Sequence, residues 1–177
     1  MQHLLGVILC GGESRRMGRD KGLMPKDDMP RALYMANKLD IPVVFSINST
    51  QLPHYSAALP GRQLITDDPD ITAGGPLKGL LSVHKTFPDM DLLLLACDMP
   101  DMDDLTIEGL IGAWYAGGAE FYAYREDQFY QPLCAIYTTA GLQATLHDDS
   151  LQSLLKRGNT RPLPILEEKV FKNYNTL

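Results

Sequence analysis

Cysteine is scarce and odd in number: Cys10, Cys97 and Cys134 lie far apart, which argues against a disulfide framework and suits buried thiols in a reducing compartment. The four histidines (His3, His54, His84, His147) fall at no metal-ligand spacing, so a structural zinc site is not expected. No apolar run approaches the ~20 residues of a membrane-spanning helix. The longest, Leu92-Leu93-Leu94-Leu95-Ala96-Cys97, has the length of a buried strand. Positive charge is also in short supply, with 16 Lys and Arg against 22 Asp and Glu, which disfavours a general nucleic-acid binder. Neither an internal repeat nor a low-complexity segment is present. The apolar stretch at residues 4–10 has no Lys or Arg before it, and Arg15 and Arg16 come after it, the reverse of an export signal. A cytoplasmic protein with no membrane partner is expected.

What remains is ordinary globular material. The 177 residues, 45% hydrophobic and 21% charged, suit one domain over residues 1–177 with a proper core. Short apolar runs alternate with helix-like stretches, the signature of an α/β sheet. Strands are expected at 3–9, 42–47, 63–66, 91–96, 120–124 and 133–137, with an edge strand at 169–171. Helices are expected at 31–39, 77–87, 105–115 and 151–156, the third capped by Asp101, Asp103 or Asp104. The whole reads as a three-layer α/β domain. In such sheets ligands bind beyond the carboxyl ends of parallel strands, where residues 10–21, 46–48 and 97–100 fall.

Three segments carry chemistry. After the first strand, Leu9-Cys10-Gly11-Gly12 leads into Ser14-Arg15-Arg16-Met17-Gly18-Arg19-Asp20-Lys21. Glycines directly after a strand let backbone approach a phosphate closely, and four cations lie within seven residues of an otherwise acidic chain. This is a polyphosphate site in outline, though neither a Walker loop nor a dinucleotide fingerprint. A turn with a solvated basic face is the competing account. In the second segment a buried strand empties into Cys97-Asp98-Met99-Pro100. An Asp there is placed to hold Mg²⁺ against phosphate oxygens, and equally to cap a turn. The third is Asp67-Asp68-Pro69-Asp70 followed by Gly74-Gly75-Pro76-Leu77-Lys78-Gly79, a tight strand-to-helix connection or an acidic surface turn.

Together these residues resemble the molybdenum cofactor guanylyltransferase (MobA-like) family of the nucleotide-diphospho-sugar transferase fold. Leu9 through Lys21 matches the family's Leu-x-Gly-Gly-x-Ser-x-Arg-Met-Gly-x-Asp-Lys opening. Gly75-Pro76-Leu77-Lys78-Gly79-Leu80, Ala96-Cys97-Asp98-Met99-Pro100, Gln131-Pro132-Leu133 and Asn173-Tyr174-Asn175-Thr176 are similar to later elements, in order along the chain.

The resemblance implies a three-layer α/β/α, Rossmann-like, mostly parallel sheet. It also implies Mg²⁺-dependent transfer of GMP from GTP to molybdopterin, with release of pyrophosphate and molybdoenzyme maturation proteins as partners. By the same similarity, Leu9, Cys10, Gly11 and Gly12 contact the nucleotide. Arg15 and Lys21 neutralise its triphosphate, and Asn48, or its neighbour Ser46, lines the base or ribose. Asp67, with Asp68 as fallback, binds the nucleotide, and Asp98 carries Mg²⁺ and is catalytic with Arg15 and Lys21. Cys10 stands where relatives usually carry Ala, which assigns it to packing.

Two departures bear on the acceptor. Met24-Pro25-Lys26-Asp27-Asp28-Met29-Pro30 replaces a Gly-Lys-Pro-Leu loop, and Lys78 replaces a small residue. The rival readings are a related nucleotidyltransferase using CTP or another phosphorylated acceptor, and an inactive nucleotide-binding partner in cofactor delivery. Retention of Lys21 and Asp98 together speaks against the last.

Overall fold

The computed structural model describes residues 3–11, 20–144 and 149–172. The first strand, β1 (Leu4–Leu9), carries no polar side chain and is buried along its whole length, as a strand covered on both faces must be. Beyond residue 20 come a 3-10 turn (Lys21–Leu23), a small hairpin of β2 (Pro25–Lys26) and β3 (Met29–Pro30), and helix α1 (Arg31–Ala36). Asp27 and Asp28 take φ of 48° and 61° at the tip of that hairpin, the left-handed pair that a two-residue turn demands and Asp tolerates.

Next follow β4 (Val43–Ile47), a 3-10 turn (Ser49–Gln51), α2 (Leu52–Ala58), β5 (Leu64–Thr66), α3 (Gly75–Thr86) and β6 (Asp91–Ala96). Helix α4 (Asp104–Ala116), strands β7 (Phe121–Glu126) and β8 (Phe129–Tyr137), helices α5 (Thr139–Gln143) and α6 (Leu151–Arg157), strand β9 (Thr160–Pro164) and a 3-10 turn (Glu168–Phe171) complete the chain order.

Seven strands form one sheet in the order β5-β4-β1-β6-β8-β7-β9. Only β8 runs against the others, so the sheet is mostly parallel, as expected. Alternate strand residues feed two separate cores. Ile8, Phe45, Leu93, Leu95 and Ile136 face α1, α2 and α4 through Met35, Tyr55, Leu110 and Trp114. Val7, Val44, Leu92, Leu94 and Ala135 face α3, α5 and α6 through Leu80, Val83, Leu142 and Leu154. The result is three layers. The four leucines of β6 are wholly shielded from solvent, each contributing about 2 kcal/mol by burial.

Two expectations are corrected in detail, and a third is narrowed. Residues 169–171 are part of a 3-10 turn, and the edge strand is β9, which pairs in parallel with β7. Pro162 and Pro164 disguise it, yet an edge strand needs ladder donors on one side only. The helix expected over 31–39 stops at Ala36, with Asn37 closing it by donating its backbone N–H to the Leu33 carbonyl. Among the candidate caps of α4, it is Asp103 that accepts from the Thr106 backbone N–H, at 2.8 Å. Among the described residues no helix is long and apolar enough to cross a membrane.

Candidate active site

Four parallel strands end along one edge of the sheet in the spatial order β5, β4, β1, β6. The residues just beyond those ends are Asp67, Asn48, Cys10 with Gly11, and Cys97 with Asp98. Topology thus lays segments that are distant in sequence side by side. With neighbouring strands ~4.8 Å apart, the row from Asp67 to Asp98 covers roughly 14 Å, about the length of an extended nucleoside triphosphate.

At the β6 end, Lys21 Nζ stands 3.7 Å from Asp98 Oδ2, and both side chains are largely shielded. The other oxygen, Asp98 Oδ1, is buried and has no hydrogen-bond partner among the described residues. A buried carboxylate oxygen left without a donor is costly, and a hard cation or a ligand donor would satisfy it. No cluster of three or more metal-ligating side chains occurs among the described residues. The donor set therefore fits an ion held by one carboxylate together with phosphate oxygens and water, the usual manner of Mg²⁺.

Lys21 is held in place by its neighbour. Asp20 caps the 3-10 turn by accepting from the Gly22 backbone N–H at 3.0 Å. Its two oxygens also accept from the Tyr55 hydroxyl at 2.7 Å and from Gln51 Nε2 at 2.6 Å. Gln51 Nε2 further donates to the Cys10 carbonyl at 3.1 Å, so one amide ties the Lys21 turn to the end of β1. Burial pushes the Tyr55 phenol far up, keeping it a proton donor to Asp20. Gly22 is a position where only glycine fits, since a Cβ there would lie 2.1 Å from the Tyr55 hydroxyl.

The amides expected to meet a phosphate are partly engaged. Cys10 and Gly11 both donate their backbone N–H to the Ser46 carbonyl, at 2.9 and 3.1 Å, and the Leu9 carbonyl accepts from Cys97 at 3.1 Å. Gly11 closes against the Ile47–Asn48 turn. Gly12 and Arg15 lie outside the described residues. Cys10 and Cys97 are both buried, and burial pushes the Cys10 thiol well up, so it is a packing group and no nucleophile at neutral pH.

Asn48 caps the turn before α2. Its Oδ1 accepts from Gln51 N at 3.0 Å and Thr50 Oγ1 at 2.6 Å, which leaves Nδ2 as the group it can offer a ligand. The acidic pair separates cleanly. Asp68 is bound to α3 through Lys85 at 2.6 Å, and that hydrogen bond holds its carboxyl below the usual range. Asp67 is half-buried, continues β5 by donating to the Ile47 carbonyl at 3.0 Å, and has its carboxyl raised by burial, with Lys78 partly opposing. Its Oδ1 faces Gly79, where a Cβ would come within 2.6 Å of Ser46 Oγ, so α3 approaches the sheet edge closely only because residue 79 is glycine. Sequence reasoning gave no role to Asp20, Gln51 or Tyr55. The i, i+4 spacing of Gln51 and Tyr55, one helical face, was the available signal.

The family model of the MobA-like NTP transferase domain matches residues 6–162. The chain is 29% identical over 180 aligned positions to the molybdenum cofactor guanylyltransferase of Pseudomonas putida strain F1, covering 96% of this chain and 92% of that one. It is also 30% identical to the molybdenum cofactor biosynthesis bifunctional protein of Synechocystis over 79% of this chain, though it spans only 40% of that protein's length. The crystal structure of molybdopterin-guanine dinucleotide biosynthesis protein A from Archaeoglobus fulgidus superposes with a TM-score of 0.77 at 20% identity, covering 98% of this chain and 92% of that one. The last shows likeness of fold.

Proposed function

The chain belongs to the MobA-like NTP transferase family, and from that premise we propose that it transfers GMP from GTP to molybdopterin. The acceptor's phosphate oxygen attacks the α-phosphorus and forms a new P–O bond. The bond from the α-phosphorus to the bridging oxygen breaks, and pyrophosphate leaves with that electron pair. The products are the guanine dinucleotide form of the cofactor and pyrophosphate.

The observation that carries this reading is the Lys21–Asp98 pair with its unpartnered carboxylate oxygen, at one end of a nucleotide-length row of strand ends. Two anions must be brought together, so neutralisation and in-line positioning do most of the work. Lys21, braced by Asp20, neutralises the β- and γ-phosphates. Arg15, six positions before Lys21 in the sequence, adds positive charge. Asp98 is the ligand for Mg²⁺, which when bound draws charge from the phosphate oxygens and the departing pyrophosphate. At the other end, Asp67 and Asn48 Nδ2 accept from and donate to the base and ribose, and residues Leu9 to Gly11 at the end of β1 form the floor. Three free cysteines suit a cytoplasmic setting for this reaction.

Calorimetric titration of GTP, CTP, ATP and UTP in Mg²⁺, repeated on Asp98→Asn, tests the reading. Selective GTP binding that weakens in the variant is expected, followed by pyrophosphate release when molybdopterin is added. A preference for CTP moves the assignment to a cytidylyltransferase. Tight nucleotide binding with no pyrophosphate release leaves a delivery partner, and no binding by folded protein ends the enzyme reading.

A further inference from the structure

We propose that the tip of the β7–β8 hairpin, with α6 behind it, is a recognition platform for the acceptor. It would hold a flat nitrogen heterocycle, bearing N–H donors and an anionic substituent, by stacking on Phe129. The inference rests on the nucleotidyl-transfer reading above and names the part of the acceptor that this chain grips.

Position is the first argument. In the sheet, β8 adjoins β6 on the side away from β1, so the hairpin lies across Asp98 from the nucleotide row. The β6–β8 ladder pairs Leu95 with Cys134. The ladder ends there and β6 closes at Ala96, so Asp98 and the hairpin tip both lie beyond the same end of this strand pair.

Chemistry is the second argument. Phe129 is 62% exposed and packs into neither core. Lys156 Nζ lies over its ring, 4.6 Å from the centroid. An exposed phenyl with a cation over one face keeps its other face as a stacking surface of the kind that holds flat heterocycles, and the cation favours anionic ones. Glu126 pairs with Phe129 across the hairpin and so shares its face, giving an acceptor for ring N–H groups.

Rigidity is the third. The side-chain amide of Gln152, in the first turn of α6, grips Tyr130 in both directions. Tyr130 N–H donates to Gln152 Oε1 at 2.9 Å, and Gln152 Nε2 donates to the Tyr130 carbonyl at 3.0 Å. A platform so fastened loses little freedom on binding.

The test titrates molybdopterin into protein saturated with a non-hydrolysable GTP analogue and Mg²⁺, and measures acceptor KM in turnover, for the parent, Phe129→Ala, Phe129→Trp and Lys156→Ala. Phe129→Ala should weaken acceptor binding about tenfold or more, the loss expected on removing a stacking partner. GTP affinity should be unchanged, Phe129→Trp should restore the acceptor, and Lys156→Ala should lie between. Acceptor binding by Phe129→Ala equal to the parent's overturns the platform while leaving the transferase reading intact. A parent that binds the GTP analogue but not molybdopterin overturns both the acceptor assignment and this inference.

Discussion

Asp67 shows how a functional carboxylate can work against the fold that carries it. Burial raises its carboxyl above the ordinary value of 3.8, with Lys78 only partly opposing. In the window upward from pH 3.8 the folded state holds this proton more tightly than the unfolded state does, so stability falls as pH rises through it. At pH 7 the ionised group is a net cost. Asp67→Asn should therefore melt higher than the parent at pH 7, with the advantage shrinking toward pH 3, while its affinity for GTP falls. Thermal unfolding at the two pH values and a GTP titration check both halves, and a variant that melts lower at pH 7 refutes the argument. At this scale the sequence was partly legible. Lys21 and Asp98 stood out because a motif carried them, and Asp67 was set ahead of Asp68 by the resemblance alone. Burial and Lys85 separate them, and both depend on where α3 packs. Asp20, Gln51 and Tyr55 went unread because their network links residues 31 and 35 positions apart.

Elements were legible in proportion to how much local signal they contain. Strand β6, six residues with a continuous leucine run, can be read directly. Helix α4 announces itself by an acidic cap before an apolar repeat, and Asp103 makes that cap. Its carboxyl is lowered chiefly by the hydrogen bond from Thr106, so its contribution is present above pH 3.8 and is lost as pH falls through the depressed value. Asp103→Ala should cost about 1 kcal/mol at pH 7. Urea unfolding of parent and variant should converge as the buffer is acidified, and an equal gap at both extremes would show that the loss is not the cap's. The elements that escaped reading are short or carry prolines. Helix α2 has seven residues with Pro53 in its first turn, α5 has five, and β9 holds two prolines. Each is stabilised by the surface it covers more than by its own propensity, which a local pattern cannot register.

For the molecule as a whole, the site lies along the carboxyl-end edge of the parallel strands. Four strand ends, the Lys21 turn and the start of α3 converge there, and Asp98 Oδ1, without a partner among the described residues, is a gap in the hydrogen bonding at that edge. A ligand that bridges Asp67 to Asp98 spans β5, β4, β1 and β6, so binding must stabilise the entire sheet and not one loop. The single tryptophan provides the readout. Trp114 is buried, and its indole N–H donates to Asp91 at the start of β6, 2.8 Å away. Asp91 opens β6 and Asp98 lies two residues beyond its other end, with roughly 16 Å of strand between them, so Trp114 fluorescence follows unfolding and not occupancy. GTP with Mg²⁺ at a hundred times its Kd should add about 2.7 kcal/mol. For a domain of this length that is a rise in Tm of roughly 5–10 °C. GTP without Mg²⁺ should give less. In Asp98→Asn the increment due to Mg²⁺ should vanish while any shift from the nucleotide alone persists, because the base and ribose contacts lie two and three strands away. Should Mg²⁺ raise the Tm of Asp98→Asn as far as that of the parent, the ion is held elsewhere and the carboxylate at the end of β6 is not its ligand.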